Sequence, residues 1–183
     1  GNAEAISAEN WQGKSYSAAN KVNIADYFEE NTQYHYQYTD NYTGDDSIWS
    51  AEYDYTTKAT DKFSVILTGD PQVGASGSSS DKSANDASVA RDAYNWNKTM
   101  QQALKTCPDA SFLLSAGDQI NQSGAAKDDD KKTRESEYAG YLYPSVFRSL
   151  PIAATIGNHD MAGADYSAHF NNPNSEDKLG STA

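Results

Sequence analysis

The chain has 183 residues, a formal net charge of −12, 37% hydrophobic residues, 13 Tyr, 3 Trp and a mean hydropathy of −0.80. That length suits one medium domain, or one domain with a small module. The acidic balance weighs against nucleic acid as a partner, because neutralising phosphates takes clustered Lys and Arg; the lone Cys107 excludes an internal disulfide and a Cys-based zinc site; and no apolar run is long enough to span a membrane.

Residues 1–60 read as β-rich. In "NTQYHYQYTDNY", Tyr34, Tyr36 and Tyr38 alternate with Gln33, His35 and Gln37, the period of a strand with one tyrosine face. "SIWSAEYDYTT" repeats the pattern, and "YTGDDS" between them has turn chemistry, so the two predict a hairpin. "KVNIADYF" reads as a further strand, which makes a small three-stranded sheet. The character changes after "TKATDK". "FSVILTG" (63–69) is an apolar run of the kind buried on both faces of a sheet. A Gly/Ser-rich loop follows, and then Val89, Ala93, Trp96, Met100 and Leu104 fall at helical spacing. "SFLLSAG" (111–117) is a second buried-type strand, "KDDDKK" a solvated charged loop, "RESEYAGYLYPSVFRSL" a helix interrupted near Pro144, and "PIAATIG" (151–157) the third such strand. From Met161 onward the sequence reads as loop.

The order over 62–160 is thus β-α-β-α-β, which predicts an α/β fold with a parallel sheet and helices packed on it. Ligands of open α/β sheets sit at the carboxyl ends of the strands. There the three buried-type strands end alike: Asp70 and Gln72 in "GDPQ", Asp118 and Asn121 in "GDQIN", and Asn158, His159 and Asp160 in "GNHD". Parallel strands in register bring these ends together. Two carboxylates, an amide oxygen and an imidazole at one edge suit metal-assisted chemistry, in which a carboxylate bridges two cations roughly 4 Å apart and an imidazole donates a proton or orients substrate near neutral pH. Singly, each Asp is equally readable as a loop-capping carboxylate; the three endings together favour a metal site. Asp160 is read as the partner that orients the His159 ring.

The three motifs, in this order on successive strands, resemble the calcineurin-like metallophosphoesterase superfamily, over about residues 62–172. "HFNNPN" resembles a bacterial subgroup, and the Tyr-rich strands before residue 60 resemble the closing strands of the fibronectin III-like domain that precedes the catalytic domain in purple acid phosphatase relatives. The resemblance implies that residues 1–60 are part of such a domain and residues 61–183 the N-terminal half of the catalytic domain. It implies that Asp70 binds a first metal, Asp118 bridges two, Asn158 binds the second, and His159 and Asp160 are catalytic, with His159 close to the phosphate as acid or orienter. The implied activity is hydrolysis of a phosphate mono- or diester, on a small molecule or nucleotide, by attack of a metal-bound hydroxide. The implied location is the cell surface or exterior of a bacterium.

The sequence departs from the family at three places. Gln72 stands where many members carry His, and either ligates weakly or only hydrogen-bonds. Asn121 stands where purple members carry Tyr, and is either a supporting residue or plain loop; without the phenolate no purple colour is expected, which leaves Mn, Zn or Fe(II) as the metal pair. The family's later histidines, including a GH-x-H motif, have no counterpart among His35, His159 and His169. The chain is therefore expected to be a piece of a longer protein, its opening "GNAEA" a cut or a scar, with little activity of its own and an unpaired sheet edge that invites self-association. The alternative is a non-catalytic extracellular binding module on a degenerate phosphoesterase scaffold, using the Tyr-rich strands; a Tyr face is also simply a packed sheet face.

Overall fold

The computed structural model describes residues 9–11, 19–22, 24–39, 43–44, 48–77 and 82–172. The fold is mixed α/β, with short antiparallel pairs followed by a parallel sheet. Strands β1 (Glu9–Trp11) and β2 (Ala19–Lys21) pair antiparallel. Strands β3 (Gln33–Tyr36) and β4 (Tyr53–Thr56) form a second antiparallel pair with Tyr34 opposite Tyr55 and Tyr36 opposite Tyr53. The predicted hairpin strands therefore pair; Tyr42 and residues 45–47 of the turn, residues 78–81 of the Gly/Ser-rich loop and the tail from residue 173 lie outside the described residues. The segment "KVNIADYF" is not one strand: β2 ends at Lys21 and Ala25–Tyr27 is a 3-10 turn. This turn brings Phe28 against Tyr34, with ring centroids 4.7 Å apart, so part of the tyrosine face is packed.

The second part is built as β5 (Ser64–Thr68), α1 (Lys82–Thr106), β6 (Ala110–Ser115), α2 (Asp128–Tyr141), a 3-10 turn at Ser145–Arg148, β7 (Ile152–Ala154) and α3 (Asp165–His169). The strands are parallel in the order β5-β6-β7. Sequential order with right-handed crossovers puts both helices on the same face of the sheet. On that face Val89, Ala93, Trp96 and Met100 of α1 are buried with Leu113, Tyr138 and Tyr141. Trp96 stacks on Tyr141 at 5.6 Å and donates its indole N–H to the Tyr141 carbonyl oxygen, which docks α1 on α2. The same topology corrects the expectation of strands buried on both faces: Phe63 and Leu67, on the reverse side, are 59% and 69% exposed.

Two segments read as loop are helical. "KDDDKK" opens α2, with Asp128, Asp129 and Asp130 in its first turn. Carboxylates there offset the unpaired N–H groups and the positive end of the helix dipole, and Asp130 accepts the Lys127 N–H. Beyond "GNHD", Asp165–His169 forms one short helix whose Tyr166, and Phe170 just after it, join the core. The hairpin packs on the second part through the 3-10 turn: Tyr36 donates to the Arg148 carbonyl oxygen at 2.8 Å, Ser149 donates to that of Asp54 at 2.9 Å, and the Arg148 guanidinium lies over the Tyr53 ring.

Candidate metal centre at the strand ends

The register pairs Thr68 with Ser115 and Ser115 with Ala154. Asp70, Asp118 and Asn158 therefore leave the sheet at one edge. The parallel pairing continues past the strands, with Gln72 N–H bonded to Asp118 O at 2.9 Å and a further bridge between Val73 and Ile120.

The backbone at this edge is unusual. Asp70, Gln72 and Asp118 have φ of +47°, +37° and +49°, three of the four non-glycine residues with positive φ among those described. That left-handed region is sparsely populated by residues with a Cβ, costs on the order of 1–3 kcal/mol per residue, and clusters at functional sites. The strain is held in place by close packing. A Cβ on Gly157 would lie 2.1 Å from Asp118 Oδ1 and 2.2 Å from its amide nitrogen, so only glycine admits the aspartate here. Asp118, 7% exposed, accepts the His159 N–H at 2.9 Å on Oδ1 and meets Gln72 Nε2 at 3.3 Å on Oδ2. Asp70 and Asn158 are exposed, and Gln72, Asn121 and His159 are half-buried.

His159 is not oriented by Asp160. The buried Asp160 carboxylate accepts from Gly157 N–H at 2.9 Å, Tyr138 hydroxyl at 3.0 Å and Gln119 N–H at 3.4 Å. Burial pushes this carboxyl above its ordinary value against the pull of those donors. Asp160 thus staples the Gly157 turn to α2 and to the β6 loop. The His159 ring instead sets Nδ1 2.5 Å from the Asn121 carbonyl oxygen. A carbonyl only accepts, so Nδ1 carries the proton and Nε2 is the nitrogen left for chemistry. Asn121, read from sequence as supporting residue or plain loop, meets the imidazole through its backbone.

Helix α2 supplies partners that the motifs did not indicate. Arg134 is fully buried. Its guanidinium makes five hydrogen bonds: to the carbonyl oxygens of Gln122 (2.6 Å), His159 (2.7 Å) and Asp160 (2.6 Å), and to both carboxylate oxygens of Asp165 (2.5 and 2.9 Å). Burial opposes that charge, but Asp165 outweighs it and holds the guanidinium above its ordinary value. Glu137, one turn on and 3% exposed, accepts the Gln122 N–H at 2.7 Å and the Asn121 N–H at 3.0 Å. Burial pushes its carboxyl up to about 7. One signal of these roles was in the sequence: Arg134, Glu137, Tyr138 and Tyr141 share a helical face, so two charged groups stand in the stripe that packs inward.

Two carboxylates and an amide oxygen form a hard donor set suited to divalent cations. Asp118 uses one acceptor position on each oxygen, which leaves a lone pair on each. The donors fit a cation in kind, although among the described residues no three His, Cys, Asp or Glu side chains are close enough to form a metal-holding group on their own. No family profile, curated protein or solved structure is matched by the chain.

Proposed function

We propose that these strand ends belong to a metal-dependent phosphoesterase acting on phosphate mono- or diesters. The observation that carries the reading is the cluster of left-handed Asp70, Gln72 and Asp118 at one sheet edge, with the His159 amide bonded onto Asp118. Strained backbone kept at the ends of adjacent parallel strands is where a ligand site is expected. Asp70, Asp118 and Asn158 are the residues that would hold the cations. When bound, the cations supply positive charge that polarises a phosphoryl oxygen, which a chain of net charge −12 otherwise lacks for an anionic substrate. The Gln72 amide and the His159 N–H orient Asp118. His159, with its proton fixed on Nδ1, receives or returns a proton at Nε2.

The test is retention of Mn, Zn or Fe after incubation and desalting, followed by hydrolysis of bis(4-nitrophenyl) phosphate. Retained metal in the wild-type chain, lost in Asp118→Ala with the fold intact, is the expected result; equal retention in both sinks the assignment. The rival reading, a binding module, draws on the exposed Tyr38 and Trp49, and gains if the chain retains no metal.

A further inference from the structure

The peptide unit joining Asn121 to Gln122 stands between two side chains. Its carbonyl oxygen faces His159 Nδ1 at 2.5 Å, and its N–H donates to Glu137 Oε2 at 2.7 Å. C=O and N–H of one trans peptide point in opposite directions and belong to one conjugated group. A carboxylate drawing on the N–H therefore shifts electron density toward the carbonyl oxygen, and hydrogen bonds in such a chain strengthen one another. We propose that Glu137 is the positioning residue for His159, acting through the 121–122 peptide as a carboxylate–peptide–imidazole relay.

Three further observations support it. The same Glu137 oxygen also accepts the preceding N–H, that of Asn121, so the peptide is fixed on two successive donors. Gly74, with φ of +105°, gives the carboxylate its room: a Cβ there would lie 2.2 Å from Oε1. Arg134 grips the carbonyl oxygens of His159 itself and of Gln122, the residue after the Asn121 carbonyl that His159 bonds. Acceptor, ring and carboxylate are thus held by one helix. The relay does for His159 what a directly bonded carboxylate does for other functional imidazoles: it fixes the tautomer and the ring plane.

That this ring faces a phosphoester rests on the reading above; the relay itself is tested without substrate. Imidazole nitrogen spectra of the histidine-labelled chain, recorded well above pH 7 so that the Glu137 carboxyl is ionised and assigned with His159→Asn, should find the Nδ1–H tautomer at His159, with a slowly exchanging proton. An Nε2–H tautomer in the wild-type chain overturns the relay whatever the variants do. Glu137→Gln keeps the shape and an acceptor oxygen but removes the charge. In that variant, folded by Trp96 emission, Nδ1 proton exchange should quicken by about threefold or more, with His35 unchanged; an unchanged rate overturns the proposal. Turnover of bis(4-nitrophenyl) phosphate is read separately. Equal metal retention in the wild-type chain and in Asp118→Ala, with the Nδ1 effect intact, counts against the phosphoesterase reading alone. Turnover without that effect counts against the relay alone.

Discussion

At the scale of single residues, the site is made from backbone conformations that cost energy. Gln72 is the clearest instance, since a Gln at φ of +37° has neither the freedom of Gly nor the local bonding of Asn or Asp. Replacing Gln72 with Gly is expected to stabilise the chain by about 1 kcal/mol in urea unfolding, while loosening Asp118, which loses its Nε2 contact. A loss of stability would mean that the left-handed turn is not strained. Asp70, Asp118 and Asn158 were legible in the sequence because each follows a Gly at the end of an apolar run, and His159 because it comes next after Asn158. The partner of His159 was not, because a backbone carbonyl has no residue signature; the neighbouring Asp160 was the natural guess, and its carboxylate turns instead to Gly157, Gln119 and Tyr138.

At the scale of elements, α2 is the organiser of the two loops. Its guanidinium uses all five donors, and the planar fork that achieves this has no equivalent in an ammonium group. Arg134→Lys should cost about 3 kcal/mol by urea unfolding, near the lower end for breaking a buried ion pair, since Asp165 keeps a cation but three carbonyls compete for fewer donors. Arg134→Met should cost more, because Asp165 is then buried without its cationic partner, with only the Tyr166 N–H on Oδ1. Equal stability of all three proteins would show that the loops do not depend on this clamp. The helix was only partly legible. Its apolar positions were readable, but "KDDDKK" looked like loop because three consecutive Asp disfavour a helix interior; they suit its first turn. The run after "GNHD" looked like loop because a single turn of helix leaves too little periodicity to read.

For the whole molecule, parallel strands and crossovers followed from the alternation of apolar runs and helical spacing. Which sheet face is covered depended on strand order, and that is not written in local pattern. Stability as a function of pH is also a whole-molecule property with a local origin. Burial places the Glu137 carboxyl at about 7 in the folded chain, against an ordinary 4.5. The folded state therefore binds a proton that the unfolded state has released, and this contribution is fully present below about 4.5 and lost as pH rises through about 7. Unfolding in urea should show wild type losing on the order of 2–3 kcal/mol more than Glu137→Gln between pH 4.5 and 7.5; parallel curves for the two would refute the buried titration.

The stacking of Trp96 on Tyr141 gives the chain an optical gauge of its own. Trp96 is 9% exposed and Trp49 43%, so with Trp11 replaced by Phe the two remaining emissions separate into a blue and a red component. Because the Trp96 indole is bonded to the last residue of α2, its colour reports whether that helix is seated. A substitution at Arg134 or Glu137 that unseats the helix will shift the blue component toward red, and one that only frees the loops above it will leave the spectrum as it was.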